Sequence, residues 1–234
     1  MARKPPPPAR DATVQALMRL AATQPWNDIE VTDVAREAGV SLAEFRDLFP
    51  SKGAVLGAFS RMIDKEVLEG TTDELAEEPA RERVFDVIMR RLDAMTPYKA
   101  ALRRISYAVR GDPLTLAALN QVALNSQRFM LAAAGISTEG PLGLLKLQGA
   151  ALVFANTLET WLDDDDPALA RTMARLDREL KRGERVLERA EDFRRLTAPL
   201  RALGRTLLDR RRTRRPRTRE RSRDGDTTDP AAAI

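Results

Sequence analysis

Residues 31–56 read VTDVAREAGVSLAEFRDLFPSKGAVL, a pattern that predicts two short helices joined by a tight turn and then a third helix. Thr32 is placed to cap the first helix, because its hydroxyl can accept a hydrogen bond from a backbone N–H one turn further on. Gly39 stands where this helix must end and the chain must turn, in a left-handed conformation that glycine adopts at the lowest cost. Ser41 and Ser51 are placed to cap the second and third helices.

Apolar residues in the same stretch recur at helical spacing and predict the buried side of each helix. The three sets are Val34, Ala35 and Ala38, then Leu42, Phe45, Leu48 and Phe49, then Val55, Leu56 and Phe59. Two helices that cross at a glycine-containing turn form a helix-turn-helix, whose second helix enters the major groove of DNA. The stretch therefore predicts a unit that reads DNA.

The composition of the chain argues against several kinds of chemistry. Its 234 residues include no cysteine and no histidine, and the formal net charge is +4. Without cysteine there are no disulfides and no thiolate nucleophile, which fits a reducing compartment. Without histidine the commonest general base and metal ligand is missing. We therefore predict no enzyme activity, no cofactor and no metal site.

The N-terminal sequence MARKPPPPAR lacks the apolar segment of a secretory signal, so we expect a cytoplasmic protein.

The pattern along the whole chain predicts an all-α fold, because helix formers dominate and no run alternates with period two for long enough to make a strand. Residues 1–10 form a basic, proline-rich arm that we expect to be disordered. Residues 11–70 contain the helix-turn-helix, with Trp26 in its core. A second helical domain is predicted at 78–196, and an Arg-rich, disordered tail at 201–234.

Both ends of the chain are basic. Arg3, Lys4 and Arg10 can reach a minor groove, and a solvated tail is the alternative. Residues 201–234 contain 11 Arg against five acidic residues, a net charge of +6. Such a tail can raise DNA affinity without specificity, attract acidic lipid or RNA, or serve as a solubilising extension.

Two helices of the second domain have distinct patterns. Leu142 to Leu162 is the most apolar stretch, and its polar residues argue against a membrane span and for a helix buried on several sides. Asp163 to Asp166 then precede Pro167, with Asp166 as the predicted cap of a helix from Ala168 to about Ala190. A calcium loop is the alternative, but its turn glycine is missing. Heptad-spaced leucines on this helix indicate a partner helix, or an anionic membrane surface.

The motifs VTDVAREAGVS and FPSK, separated by a short helix, resemble the N-terminal DNA-binding domain of TetR-family transcriptional repressors, over about Thr13 to Ile63. The resemblance implies an all-helical homodimer whose second domain binds a small molecule and thereby releases a double-stranded DNA operator. The inward residues of the central helices are Leu, Val, Met, Ala and Phe, so the ligand is expected to be apolar or lipid-like. No integral membrane association is expected.

The resemblance also implies which residues contact DNA. Those predicted to read the operator are Leu42, Ala43, Glu44 and Arg46, and those predicted to hold phosphates are Thr32, Ser41 and Lys52. The family usually has Gly at the position of Ala43 and a phosphate-contacting Tyr at that of Arg46, where the guanidinium can hold a phosphate by charge. Neither the sequence nor the resemblance indicates which residues bind the ligand.

An alternative function follows from charge and from a second resemblance. Between Val31 and Gly70 there are five basic residues against seven acidic ones, so the predicted reading unit is not a basic patch. Residues 132–180, which include WLDDDDPALARTMARLDR, are similar to the C-terminal region of the lipid-binding proteins of ubiquinone biosynthesis, which share the TetR fold. The alternative is therefore a lipid-binding accessory protein that no longer reads DNA.

Overall fold

The computed structural model describes the backbone of residues 8–72 and 75–213 and the side chains up to residue 192. The helices are α1 (Ala9–Thr23), α2 (Val31–Ala38), α3 (Leu42–Leu48), α4 (Lys52–Glu69), α5 (Ala80–Met95), α6 (Lys99–Val109), α7 (Pro113–Ala133), α8 (Gly143–Leu162) and α9 (Ala170–Thr213). Short 3₁₀ turns occur at Trp26–Asp28 and Thr96–Tyr98. These ranges contain no β-strand, which confirms the predicted all-α fold.

Both chain ends differ from the sequence-based prediction. Helix α1 begins at Ala9, inside the predicted arm, because proline is compatible with a helix start and the carbonyl of Pro8 accepts from the N–H of Ala12 at 2.9 Å. Helix α9 continues to Thr213 instead of ending near residue 190. The predicted minor-groove contacts of Arg3 and Lys4 lie outside the described residues, as do residues 214–234 of the predicted tail.

Among the described residues, those up to 188 form one compact unit and those from 189 onward form another. In the first unit, α1 packs against α2, α4 and α6, and α4 also packs against α5 and α7. Trp26 and Ile29, between α1 and α2, are buried, which confirms the predicted core role of Trp26. Helix α4 therefore belongs both to the N-terminal helices and to the bundle formed by α5–α8.

The run of acidic residues after α8 holds a corner between α8 and α9. Asp164 is buried, and its carboxylate accepts from the N–H and the hydroxyl of Thr172 at 2.9 and 2.7 Å. The hydrogen bond from the Thr172 hydroxyl is the main cause that lowers the pKa of Asp164. The side chain of the predicted cap Asp166 accepts from the N–H of Ala168 at 3.0 Å, before α9 begins. The capping contact to α9 is therefore made by Asp164, because the helix starts two residues later than predicted.

Two cations of α6 complete this corner. Lys99 Nζ donates to the carbonyl of Asp164 at 2.6 Å and lies 5.0 Å from the ring centroid of Trp161, which is buried. Arg103 donates to the carbonyl of Leu162 at the end of α8, where a positive charge also complements the helix dipole. Trp161, Leu162 and Asp164 belong to the segment that resembles the lipid-binding proteins. In this protein they contact Lys99 and Arg103 and so help to hold the corner between α8 and α9.

Helix α8 was predicted to be buried on several sides, but one of its faces is open. Leu144 and Leu152 lie eight residues apart on the same face and are 68% and 61% exposed. Phe154 and Trp161, on the opposite side, are buried in the core. The isolated subunit therefore leaves an apolar stripe uncovered along α8.

Candidate nucleic-acid interface

The first helix of the helix-turn-helix begins two residues earlier than a Thr32 cap requires. Glu30 is the N-cap, since its side chain accepts from the N–H of Asp33 while Asp33 accepts from the N–H of Glu30 at 3.0 Å. This reciprocal capping box satisfies two backbone donors at once. Thr32 instead lies exposed in the first turn of α2, and its hydroxyl donates to Glu30 Oε2 at 3.2 Å.

The turn between α2 and α3 has the predicted left-handed glycine. Gly39 has φ of 71°, and its N–H donates to the carbonyl of Arg36 at 3.1 Å. The N–H of the next residue, Val40, donates to the carbonyl of Ala35 at 3.0 Å. These two bonds satisfy carbonyls that the end of α2 would leave free, so the turn is fixed by the backbone itself.

Helix α3 has a second capping box, and this one uses Glu44. Ser41 Oγ accepts from the N–H of Glu44 at 3.1 Å, and Glu44 Oε2 accepts from the N–H of Ser41 at 2.7 Å. The hydrogen bond from this backbone N–H is the largest cause that lowers the pKa of Glu44. The carboxylate is therefore directed at the helix N-terminus, where the dipole favours negative charge. This arrangement differs from the base-reading role that the sequence suggested.

The two sides of α3 differ sharply in burial. Phe45 and Phe49 are 3% and 1% exposed and seat the helix on the N-terminal core. Leu42 is 53% exposed, although its spacing had placed it on the buried side. Ala43 and Arg46 are exposed as well. The outer face of α3 thus presents one apolar, one small and one cationic side chain.

Arg46 has no hydrogen-bond or ion-pair partner in the part of the chain that the structure describes. Other exposed cations nearby are engaged: Arg36 Nη1 lies 3.2 Å from Asp33 Oδ1, and Arg19 Nε lies 2.7 Å from Glu37 Oε1. A guanidinium without an internal partner keeps all of its donors for an external anion.

Most acidic side chains of α2 and α3 have a hydrogen-bond or ion-pair partner within the protein. Asp33, Glu37 and Glu44 each accept from a backbone N–H or a cation of the same region. Among the acidic residues of α2 and α3, Asp47 has no such partner within the described ranges. Of the seven acidic residues counted between residues 31 and 70, Glu37 is therefore balanced by Arg19, a cation from outside that count.

Lys52 has a structural role that the sequence did not indicate. Its Nζ donates to the carbonyls of Trp26 and Ile29 at 2.5 and 2.7 Å and lies 4.2 Å from the ring centroid of Trp26. Partial burial lowers the pKa of Lys52, and the charge of Asp28 acts in the opposite direction. The ammonium group thus ties the first turn of α4 to the segment between α1 and α2. The structure does not place it toward the outer face of α3.

Arg10 was predicted to belong to a disordered arm that can reach a minor groove, but it lies on helix α1. Arg10 lies in the first turn of α1, where its Nη1 donates to the carbonyl of Leu48 at 3.5 Å. Its Cζ lies 4.7 Å from the ring centroid of Phe49. The end of the proline run at Pro8 is the sequence signal that a helix can begin here. Arg10 adds positive charge beside the end of α3.

Two open clefts flank α4. One, of about 470 Å³, lies between α1 and α4 and is lined mainly by charged residues, including Arg61, Lys65 and Glu66. The other, of about 340 Å³, lies between α4 and α5. In the part of the chain that the structure describes, no cluster of acidic side chains has the arrangement of a metal site, and no helix is long and apolar enough to cross a bilayer.

Comparisons with known proteins give matches among solved structures. The chain is similar to a TetR transcriptional regulator from Nitrosomonas europaea ATCC 19718, with 22% sequence identity, a TM-score of 0.60, and coverage of 76% of this chain and 99% of that chain. It is also similar to a TetR transcriptional regulator from Rhodococcus sp. RHA1, with 20% identity, a TM-score of 0.56, and coverage of 75% and 95%. Neither protein-family models nor curated protein sequences gave a match. The chain has the fold of TetR-type transcriptional regulators.

Proposed function

We propose that this protein is a cytoplasmic TetR-family transcriptional regulator that binds an operator as a homodimer and is released from it by an apolar ligand. The observation that carries the proposal is the outer face of α3, on which Leu42, Ala43 and Arg46 are exposed beside a fixed turn. The turn and both capping boxes hold α3 at a set angle to α2, as a recognition helix requires.

The exposed side chains suit contacts with a major groove. Arg46 can bind a phosphate or, through two donors, the edge of a guanine. Leu42 can contact a thymine methyl group, and the small side chain of Ala43 allows close approach of the helix. The exposed hydroxyl of Ser41 can donate to a phosphate at the start of α3, and that of Thr32 can do so on α2 in place of its hydrogen bond to Glu30.

The homodimer is supported by the uncovered stripe on α8. Leu144 and Leu152 present apolar surface that a soluble subunit rarely leaves open, and the same stripe on a second copy can cover it by twofold symmetry. We expect Leu152→Asp to shift the protein to monomer in sedimentation velocity. Leu114→Asp is the matched control, because Leu114 is 83% exposed on another helix and should leave the dimer intact.

The operator proposal is tested by gel shift of the full chain on DNA upstream of its own gene, with excess non-specific competitor to suppress binding by the Arg-rich tail. Arg46→Ala should weaken the specific complex and lower the log–log salt slope by about 0.9 for each phosphate that the variant no longer neutralises. Arg36→Ala removes a neighbouring exposed cation that already pairs with Asp33. Equal effects of the two variants, or none for Arg46→Ala, would rule out the proposed role of α3.

A further inference from the structure

Helices α6 and α7 and the turn between them carry a charge pattern that the rest of the chain does not share. Residues 94–138 contain five cations and a single acidic residue, Asp112, whereas the whole chain has 39 cations and 35 acidic residues. The five cations are Lys99, Arg103, Arg104, Arg110 and Arg128. This part of the protein therefore suits an anionic partner.

Three of these cations have partners within the protein, and two do not. The first two hold the corner between α8 and α9, and Arg110 Nη2 lies 2.9 Å from Glu159 Oε1. Asp112 is the N-cap of α7, where the helix dipole favours its negative charge. Arg104 and Arg128 are exposed and have no hydrogen-bond or ion-pair partner among the described residues. Their guanidinium groups keep all of their donors for an external anion.

The corner between α6 and α7 presents two large apolar side chains to solvent. Tyr107, in the last turn of α6, is 81% exposed, and Leu114, in the first turn of α7, is 83% exposed. Among the residues whose side chains the structure describes, these are the two most exposed large hydrophobic side chains. Residues 110–114 are all exposed, so the corner protrudes from the bundle.

The open face of α7 continues this apolar surface. Phe129 lies about four helical turns after Leu114 and is 55% exposed, so the two side chains are on the same side of the helix. Apart from Arg128, every exposed residue of α7 is uncharged. The corner and the open face of α7 together form a surface of apolar side chains with free cations beside them.

This combination distinguishes between kinds of partner. A nucleic acid would use the free cations, but its phosphates offer nothing to the side chain of Leu114. A second copy would need an apolar groove to receive the corner, and the two open clefts beside α4 are lined partly by ionised side chains. A bilayer surface accommodates all three groups, because tyrosine lies at the level of the headgroups, leucine enters the acyl chains, and arginine binds headgroup phosphates.

We propose that the corner between α6 and α7 docks on the surface of a membrane that contains anionic phospholipids. Tyr107 and Leu114 enter the interface, and Arg104 and Arg128 bind headgroup phosphates. These residues precede segment 132–180, which resembles the lipid-binding proteins, and they lie apart from α3. Docking on a membrane is therefore independent of operator binding.

The test locates the contact by fluorescence, because the Arg-rich residues 201–234 can attract anionic vesicles by themselves. The chain has no cysteine, so Leu114→Cys provides a single thiol for a polarity-sensitive nitrobenzoxadiazole label. With vesicles of phosphatidylglycerol and phosphatidylcholine, the emission of the labelled full chain should rise about twofold or more and shift to the blue. With phosphatidylcholine alone it should change much less. Val186→Cys is the matched control, because Val186 is exposed on α9 among charged residues and its label should stay in water.

Three results would overturn the inference. The first is a label at position 114 that does not respond on vesicles that bind the chain, since binding would then depend on other residues. The second is failure of the full chain to co-sediment with the anionic vesicles. The third is an emission change that grows with protein concentration in the absence of vesicles, which would assign the corner to a second copy.

Two further variants separate the apolar and the cationic contributions. Leu114→Asp should lower the vesicle partition coefficient, measured by co-sedimentation, about tenfold, and Arg104→Ala should lower it about fivefold. Both side chains are exposed, so melting temperatures should stay close to that of the wild type. Val186→Asp should leave the partition coefficient unchanged, and an equal loss for Val186→Asp and Leu114→Asp would contradict the proposed surface. Vesicle binding is measured without DNA, so a failed gel shift and a failed vesicle assay refute different statements.

Discussion

Two corners of this protein join consecutive helices, and they are held by different kinds of contact. The corner between α2 and α3 is fixed within a few residues by the left-handed Gly39 and by the mutual hydrogen bonds of Ser41 and Glu44. The corner between α8 and α9 is held by Lys99 and Arg103, which donate to carbonyls 65 and 59 residues further along the chain. The first corner depends on local backbone conformation alone, whereas the second combines the local bonds between Asp164 and Thr172 with contacts that form only when α6 packs against α8.

This difference suits the two regions to different tasks. A corner that its own residues define keeps its angle when the rest of the protein moves, which a recognition helix needs in order to enter a groove. A corner held by distant side chains depends on the packing of the whole bundle. We therefore expect substitutions at the α8–α9 corner to affect global stability and those at the α2–α3 corner to affect mainly the DNA-binding unit.

The largest effect is expected for Trp161→Ala. Trp161 is 1% exposed, and its ring lies beneath Lys99, so truncation leaves a cavity under the corner. We expect a loss of about 3–5 kcal/mol in the free energy of unfolding, measured by urea titration. Leu152→Ala, on the exposed side of the same helix, should change stability by about 0.5 kcal/mol or less. A similar loss for both variants would contradict the described packing of α8.

The next effect concerns Gly39, whose φ of 71° is unfavourable for residues with a Cβ. Gly39→Ala should cost about 1–2 kcal/mol. In the described part of the chain, nothing lies within 4 Å of where that Cβ would stand, so backbone conformation is the sole cause. Asn tolerates this conformation, and Gly39→Asn should therefore cost less than Gly39→Ala. If the two substitutions were equally costly in urea titration, left-handed strain would not explain the requirement for glycine.

A smaller effect is expected for Arg103→Ala, because the side chain of Arg103 is about half exposed and solvent screens its charge. Loss of its bonds to the Leu162 carbonyl should lower the free energy of unfolding by about 1 kcal/mol. Arg104→Ala is the matched control, since Arg104 is exposed and has no partner within the described residues. Thermal unfolding of the two variants is monitored by circular dichroism. Identical melting temperatures would argue against the stabilising role of the bond between Arg103 and the Leu162 carbonyl.

The smallest effect is expected in the pH dependence of the stability that Glu44 contributes. Its pKa in the folded protein lies below the ordinary value of 4.5, so the carboxylate contributes stability that is present above pH 4.5 and is lost as the pH falls through the folded value. Glu44→Gln keeps a capping acceptor but cannot titrate. The stability difference between wild type and variant should therefore shrink as the solution is acidified. A difference that is constant with pH would contradict the Ser41–Glu44 bond.

Sequence reasoning succeeded where the determining residues are close together. The all-α fold, the left-handed turn at Gly39 and the caps at Ser41 and Ser51 depend on local patterns. The pair of Ser41 and Glu44 has the S-x-x-E spacing of a capping box, so the position of that carboxylate could have been predicted as well.

Other features depend on residues that the sequence separates widely. The resemblance implied a phosphate contact for Lys52. The sequence does not show that its ammonium group binds two carbonyls, because these lie 23 and 26 residues earlier in the chain. The bond between Asp64 and Arg91 joins residues 27 positions apart, and that between Asp64 and Ser126 joins residues 62 apart. Periodicity identifies the buried side of a helix, but it does not indicate which polar residues meet across helices.

We propose that the outer face of α3 reads a DNA sequence. The most direct measurement is selection of bound sequences from a random duplex pool by the full chain at physiological salt, repeated with Leu42→Ala and Arg46→Ala. We expect enrichment of a near-palindromic site, with altered base preference for Leu42→Ala and weaker binding for Arg46→Ala. Absence of any enriched sequence, or an enriched site that neither substitution changes, would contradict it.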